Sequence, residues 1–215
     1  MSELRYTLLA DGPSDQALIP VLDWLLREHL PGRPIHSQGA DLRSLRRPPT
    51  DLAERIQVSV QLHPCDILFV HRDAEAQSRD SRMDEIVAAC EKAGVQESPL
   101  HCCVVPVRMT EAWFLFDEAA IREAAGNPRG RMHLSIPGAP ESLSHPEQVL
   151  AELLINASGL SGRRRGSFNV SASVQRLARL IGDFSPLRGL PAFQALEADL
   201  QAVLQRASDV AAAGP

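Results

Sequence analysis

Residues 65–70, CDILFV, constrain the fold of this chain more than any other stretch. The run is apolar on both faces, so it suits a central strand in a sheet covered on both sides. It ends abruptly in HRDAE, which puts Asp73 and Glu75 just beyond the strand's carboxyl end. Strand-like and helix-like runs alternate around it. RYTLLA (5–10) precedes ALIPVLDWLLREHL (17–30), and TDLAERIQVSVQL (50–62) precedes CDILFV. SRMDEIVAACEKAG (81–94), HCCVVPV (101–107) and TEAWFLFDEAAIREAA (110–125) follow in turn. This alternation predicts an α/β fold, a mostly parallel sheet flanked by helices. Ser14, Thr50, Ser81 and Thr110 are the expected helix caps, with Ser81 and Asp84 at capping-box spacing and Gly94 as a helix stop. Pro20 predicts a kink or a late start in the first helix. Residues 32–50, rich in Pro, Gly and Arg, read as loop with room for a short edge strand.

The pattern changes near Gly126. Residues 126–145 are rich in Pro and Gly, and helical periodicity returns over 147–156, 172–181 and 192–207. The expected organisation is an α/β core over 1–125 with a helical extension, 126–215, packed on it. No run approaches the length of a membrane span, and MSELRYTLLADG lacks the basic start and long apolar stretch of a signal peptide. A cytoplasmic protein with no membrane partner is the expectation. Cys65, Cys90, Cys102 and Cys103 show no C-x-x-C spacing and read as small buried hydrophobes. HRD suggests a protein kinase, but position 78 is Ser where that motif needs Asn. No glycine-rich phosphate loop, strand lysine or DFG accompanies it.

The acidic residues carry the functional signal. In an open parallel sheet, chemistry gathers beyond the carboxyl ends of the strands. Asp11 falls at the end of the first strand, Asp73 and Glu75 at the end of the central one, and Glu111 just after the last. If DAE stays extended, Asp73 and Glu75 project to the same side. Like charges held that close repel, and a divalent cation with oxygen ligands, Mg²⁺ or Mn²⁺, relieves the repulsion. Taken singly, Asp11 also reads as turn chemistry in D-G-P, while Asp15 and Glu111 read as first-turn acids favoured by the helix dipole. The net charge of −5 argues against indiscriminate coating of nucleic acid but not against an enzyme whose carboxylates gather around metals.

These residues carry a resemblance. ADGPSD looks like the E-G-x-[ST]-[DE] motif of TOPRIM domains, and HRDAE like their D-x-D. VPVRMTEAWFLFD resembles the P-x-x-x-x-E-[AS]-W-L-L-x-D stretch of a family of small TOPRIM-like bacterial proteins of unassigned function. That family is related to the TOPRIM domain of overcoming-lysogenization-defect nucleases. The match covers roughly residues 4–125, and LRGLPAFQALEADL resembles the family's closing helix. The resemblance implies a TOPRIM-like sheet and metal ligands at Asp11, Asp15, Asp73, Glu75 and Glu111, with Asp11, Asp73 and Glu75 catalytic. It also implies Mg²⁺ or Mn²⁺ as cofactor, DNA or RNA as substrate, and an ATPase partner in phage defence. Asp11 stands where the family usually has Glu, and Glu75 where it usually has Asp.

Topoisomerase chemistry is excluded, because the only tyrosine, Tyr6, lies inside the first strand, and no zinc-binding module supports a primase. GRRRGSF carries the densest positive patch, Arg163, Arg164 and Arg165, expected in a flexible loop suited to phosphate contacts; Arg43, Arg46 and Arg47 form a second, and ordinary solvated loops are the alternative reading. Trp24, Trp113 and the phenylalanines fall on apolar faces and read as core. His71 reads as a packed strand histidine, with a place near the metal as the alternative. The expected function is a metal-dependent nuclease. The alternative is a catalytically weak regulatory subunit whose acidic pocket binds a metal or nucleotide, and a small-molecule phosphohydrolase ranks third. Homo-oligomerisation is left open.

Overall fold

A computed structural model of the protein describes residues 3–12, 14–95 and 98–213. Four strands form one sheet: β1 (Leu4–Leu9), β2 (Ile35–Ala40), β3 (Ile67–His71) and β4 (Leu100–Val104), in the order β2-β1-β3-β4. Every pairing is parallel, and β1 runs against β3 from Tyr6↔Ile67 to Leu9↔Val70. CDILFV is therefore central, as its two apolar faces require, and all five residues of β3 are buried. The edge strand expected within 32–50 is β2.

Alternate residues of the strands feed two apolar layers. Tyr6, Leu8, Ile67, Phe69, Cys102 and Val104 face one cluster; Leu9, Leu68, Val70 and Cys103 face the other. Helix α1 (Leu18–His29) packs in the first through Leu18, Val21, Leu22, Leu25 and Leu26. Helices α2 (Leu52–Leu62) and α3 (Arg79–Lys92) cover the second through Ile56, Ile86 and Cys90. The chain steps from β1 outward to β2, then crosses to β3 and continues to β4. The strand order thus reverses between β1 and β3, and their carboxyl ends frame the crevice where open α/β sheets bind ligands.

The first cluster also takes in the chain beyond residue 125. Helices α4 (Glu118–Ala124), α5 (Pro146–Ser158), α6 (Gly162–Gly166), α7 (Val170–Leu180) and α8 (Pro191–Ala213) follow β4. Leu150, Leu154, Leu177, Phe193 and Leu200 share that cluster with β1 and α1. Phe193 stands edge-on to Trp113, with ring centroids 5.4 Å apart, and tilts against Trp24 at 6.5 Å. The aromatic residues are core, as their apolar settings imply. Cys90, Cys102 and Cys103 are buried free thiols, and burial pushes the Cys90 thiol up to about 12. No helix of the described residues is long and apolar enough to cross a membrane.

Several local expectations are corrected. A 3-10 turn over Ser14–Ala17 precedes α1, which starts at Leu18 without a side-chain cap; Pro20 sits in its first turn, where no donor is needed. Asp51, not Thr50, caps α2 by accepting from Ala53 N at 2.8 Å, and Ser78, not Ser81, caps α3. Gly94 does end α3, at φ 72°, a left-handed conformation that suits glycine. The stretch from Thr110 is not one helix. A 3-10 turn (Thr110–Phe114) gives way to α4, capped by Asp117, while the Thr110 hydroxyl bonds Asp73 instead of capping a helix.

Candidate functional site

The crevice beyond β1 and β3 holds two separate groups of charged side chains. The inner one centres on His71, the last residue of β3, whose side chain is 0% exposed. Its Nε2 lies 3.2 Å from Asp73 Oδ1 and 3.1 Å from Thr110 Oγ1. Asp73 Oδ1 also accepts from Thr110 N at 2.9 Å and from the Thr110 hydroxyl at 3.2 Å. On the other side of the ring, His71 Nδ1 has no hydrogen-bond partner and lies 3.7 Å from Asp15 Oδ2. Asp15 is itself only 8% exposed and accepts from Gly12 N at 2.8 Å. Asp15 and Thr110 lie far in sequence from the His71–Asp73 pair, and the fold brings all four together.

Glu111 joins this group from the 3-10 turn after β4. Burial pushes its carboxyl up to about 7, and the nearby charges of Asp73, Asp15 and Glu147 add to the rise. Glu147, in the first turn of α5, was not singled out in the sequence. Its Oε2 is buried without a hydrogen-bond partner. Nothing in the sequence separates it from an ordinary first-turn acid after Pro146. Thr110 was equally misread, since its spacing suits a cap and only the fold shows it clasping Asp73.

The sign of the Glu111 effect follows from linkage. Its folded-state value lies above the ordinary 4.5, so stability is lost as pH rises from about 4.5 through about 7 and the buried charge forms. In chelator, Glu111→Gln should flatten the wild-type decline between pH 5 and pH 8 and raise stability at pH 8 by up to roughly 3 kcal/mol, at about 1.4 kcal/mol per unit. Urea unfolding at the two pH values measures this. Equal slopes in the two proteins would remove Glu111 from the buried cluster.

The outer group is a chain of ion pairs. Asp11, next to the end of β1, meets Arg55 Nη1 at 2.6 Å and Arg72 Nε at 3.1 Å. The β1–β3 register brings Asp11 beside Arg72, and α2 supplies Arg55. Arg72 continues to Glu85 at 3.2 Å, and Arg82 bridges Glu85 at 2.8 Å and Glu75 at 3.1 Å. The expectation that Asp73 and Glu75 project together is corrected here. Residues 72–75 do continue beside the chain after β4, with Ala74 N donating to Pro106 O and Glu75 N to Arg108 O. Glu75, however, has φ 52°, a left-handed conformation that breaks the two-residue alternation and costs an L residue roughly 1–2 kcal/mol. Its exposed carboxylate pairs with Arg82, while that of Asp73 faces His71 and Thr110.

The sequence-predicted acids therefore divide. Asp15, Asp73 and Glu111 share the inner group; Asp11 and Glu75 are neutralised by arginines in the outer one. The oxygen chemistry of the inner acids suits Mg²⁺ or Mn²⁺. Even so, among the described residues no three acidic, imidazole or thiolate side chains are grouped to hold a metal ion. Arg163, Arg164 and Arg165 lie in the short helix α6 rather than a loop, all exposed, with Arg165 Nη2 donating to Asn156 Oδ1 at 3.1 Å. Tyr6 is fully buried in β1, its hydroxyl 2.8 Å from Asp23 Oδ1, and burial holds the phenol far above its ordinary value. It is no nucleophile. In comparisons with known proteins, no family model, curated protein or solved structure matches this chain.

Proposed function

We propose that this chain is a metal-dependent, TOPRIM-like nuclease that hydrolyses DNA or RNA phosphodiesters, working with an ATPase partner in phage defence. The supporting observation is the inner acidic group at the strand-order reversal, where Asp73 and Asp15 flank His71 and Glu111 is pushed up to about 7. Three or more carboxylates driven together at a ligand crevice are costly unless a cation or proton compensates them. Asp73, Asp15 and Glu111 are not closed into a metal-holding set in this structure, so they would hold Mg²⁺ or Mn²⁺ only by drawing together, and the ion would then supply positive charge to the scissile phosphate and its leaving oxygen. Thr110 and His71 orient the Asp73 carboxylate, and Arg72 brings a guanidinium to the crevice beside it. Asp11 and Glu75 become ligands only when released from Arg55, Arg72 and Arg82.

That last requirement favours one other reading, a catalytically weak regulatory subunit, because its two arginine-held acids need no metal. One experiment separates the two. The chain, alone and with its ATPase partner, should nick supercoiled DNA or degrade single strands in Mn²⁺ or Mg²⁺, and EDTA should stop it. If the pair cuts no nucleic acid, the regulatory reading stands in its place.

Arg163, Arg164 and Arg165 are the proposed phosphate contacts outside the crevice. Replacing all three with Ala should weaken binding about equally across sequences and lower the salt-dependence slope by roughly one per lost contact. Fluorescence anisotropy across a salt series reads this, and an unchanged slope returns these arginines to ordinary surface.

A further inference from the structure

A cleft opens between the carboxyl ends of β1 and β2, next to the acidic crevice. Leu42, Pro48 and Pro49 supply apolar wall, Gly39 and Ala40 line it from β2, and Asp11 and Arg55 line it from β1 and α2. Two half-buried guanidiniums close on Asp11, with side-chain exposures of 17% for Arg55 and 23% for Arg72, while the Asp11 side chain is 42% exposed. The grip is imperfect on one side. Arg72 Nε is buried and near Asp11 Oδ2, yet it makes no hydrogen bond.

A carboxylate held by two arginines, one nitrogen from each, occupies the place of an oxyanion, and a phosphate offers more oxygens to the same guanidiniums. The other acid of the cleft, Asp41, is already satisfied by Arg43 at 2.8 and 2.7 Å. Arg72 keeps Glu85 as a second partner at 3.2 Å, which fixes its position when Asp11 turns outward. The cleft joins apolar wall at Leu42, Pro48 and Pro49 to a charged end where Arg55 is balanced by Asp11, a setting for a flat ligand whose phosphate displaces the carboxylate.

We propose that this cleft binds a nucleoside monophosphate unit, its phosphate held by Arg55 of the lining and by Arg72, which lies behind Asp11 outside the lining and comes within reach when Asp11 turns outward, and its base against Leu42, Pro48 and Pro49. The proposal deepens the nuclease reading by giving the substrate strand a nucleotide subsite, but binding itself needs no cutting. Asp11 is then a self-occluding lid as well as a candidate metal ligand, so neutralising it has opposite effects on the two activities.

Calorimetry in EDTA with AMP, ribose 5-phosphate, adenosine and inorganic phosphate tests this on the full chain. AMP should bind saturably and at least about tenfold tighter than ribose 5-phosphate, the difference reporting the apolar walls. Arg55→Gln should weaken AMP at least about tenfold through loss of a charge-assisted contact. Asp11→Asn should tighten AMP at least about tenfold by removing the competing charge. The three atoms nearest a Cβ at Gly39 all belong to the Gln16 side chain, at 3.4–3.6 Å, so Gly39→Ala narrows the cleft at ordinary contact distance. It should weaken AMP and adenosine alike and leave phosphate unchanged. A 5′-phosphorylated tetranucleotide binding more tightly than AMP assigns the unit to a strand end; equal affinity assigns it to free nucleotide. The proposal falls if AMP binds no better than ribose 5-phosphate, or if Asp11→Asn fails to tighten it. If AMP binds as expected while no nucleic acid is ever cut, the cleft stands and the nuclease reading alone is lost.

Discussion

Asp73→Asn is expected to lower metal-dependent cutting at least about a hundredfold, equivalent to roughly 2.7 kcal/mol of barrier. The substitution is nearly isosteric, and the remaining Oδ1 still accepts from Thr110 N, the Thr110 hydroxyl and His71, the three contacts made by Asp73 Oδ1. The folded structure should therefore persist while the negative charge goes. Metal response separates this from a folding defect. A cation that binds only the native state raises stability by mass action, about 2.7 kcal/mol at a hundred times its Kd. Wild type should show that rise in melting temperature with Mn²⁺ and Asp73→Asn should not. Tyr6→Phe, which removes a buried hydroxyl paired with Asp23, should leave cutting unchanged. If wild type and Asp73→Asn cut equally well with the proposed ATPase partner present, this chain is not the nuclease.

Phe193→Ala should cost about 3–5 kcal/mol of stability, the range for deleting a fully buried aromatic side chain. Phe193 is 0% exposed and begins the long final helix, with Trp113 and Trp24 packed against its ring. The loss is large against the roughly 5–15 kcal/mol that holds a typical domain together. Because the same apolar cluster joins β1, α1, α5, α7 and α8, urea unfolding should still show one transition, moved to lower denaturant. Two separate transitions, with only the second unaffected, would mean that residues 126–213 fold apart from the sheet.

The central strand was legible because its constraint is local. Ile67 to Val70 are four consecutive apolar residues that serve both faces of a strand, which suits a covered central position and puts the acids that follow at its end. Asp11 and Asp73 were placed at neighbouring strand ends for the same reason, and the helices at 147–156, 172–181 and 192–207 followed from their period. Caps were less legible, since Thr50 and Asp51, or Ser78 and Ser81, offer equivalent oxygens a residue or a turn apart.

What the sequence alone determined is the layered α/β plan and the set of acids delivered to one edge of the sheet. Only the tertiary structure decided how those acids divide. Arg55 reaches Asp11 across 44 residues, Thr110 reaches Asp73 across 37, and α5 carries Glu147 in from the far side of the Pro- and Gly-rich stretch. The positive φ of Glu75 turns one carboxylate of the DAE pair toward Arg82, although spacing alone puts both on one side. Spacing governs where a side chain starts, through a backbone period that local sequence expresses. Its charge partner is chosen by whichever opposite charge the folded sheet and its crossing helices bring within reach, and no period along the chain encodes that.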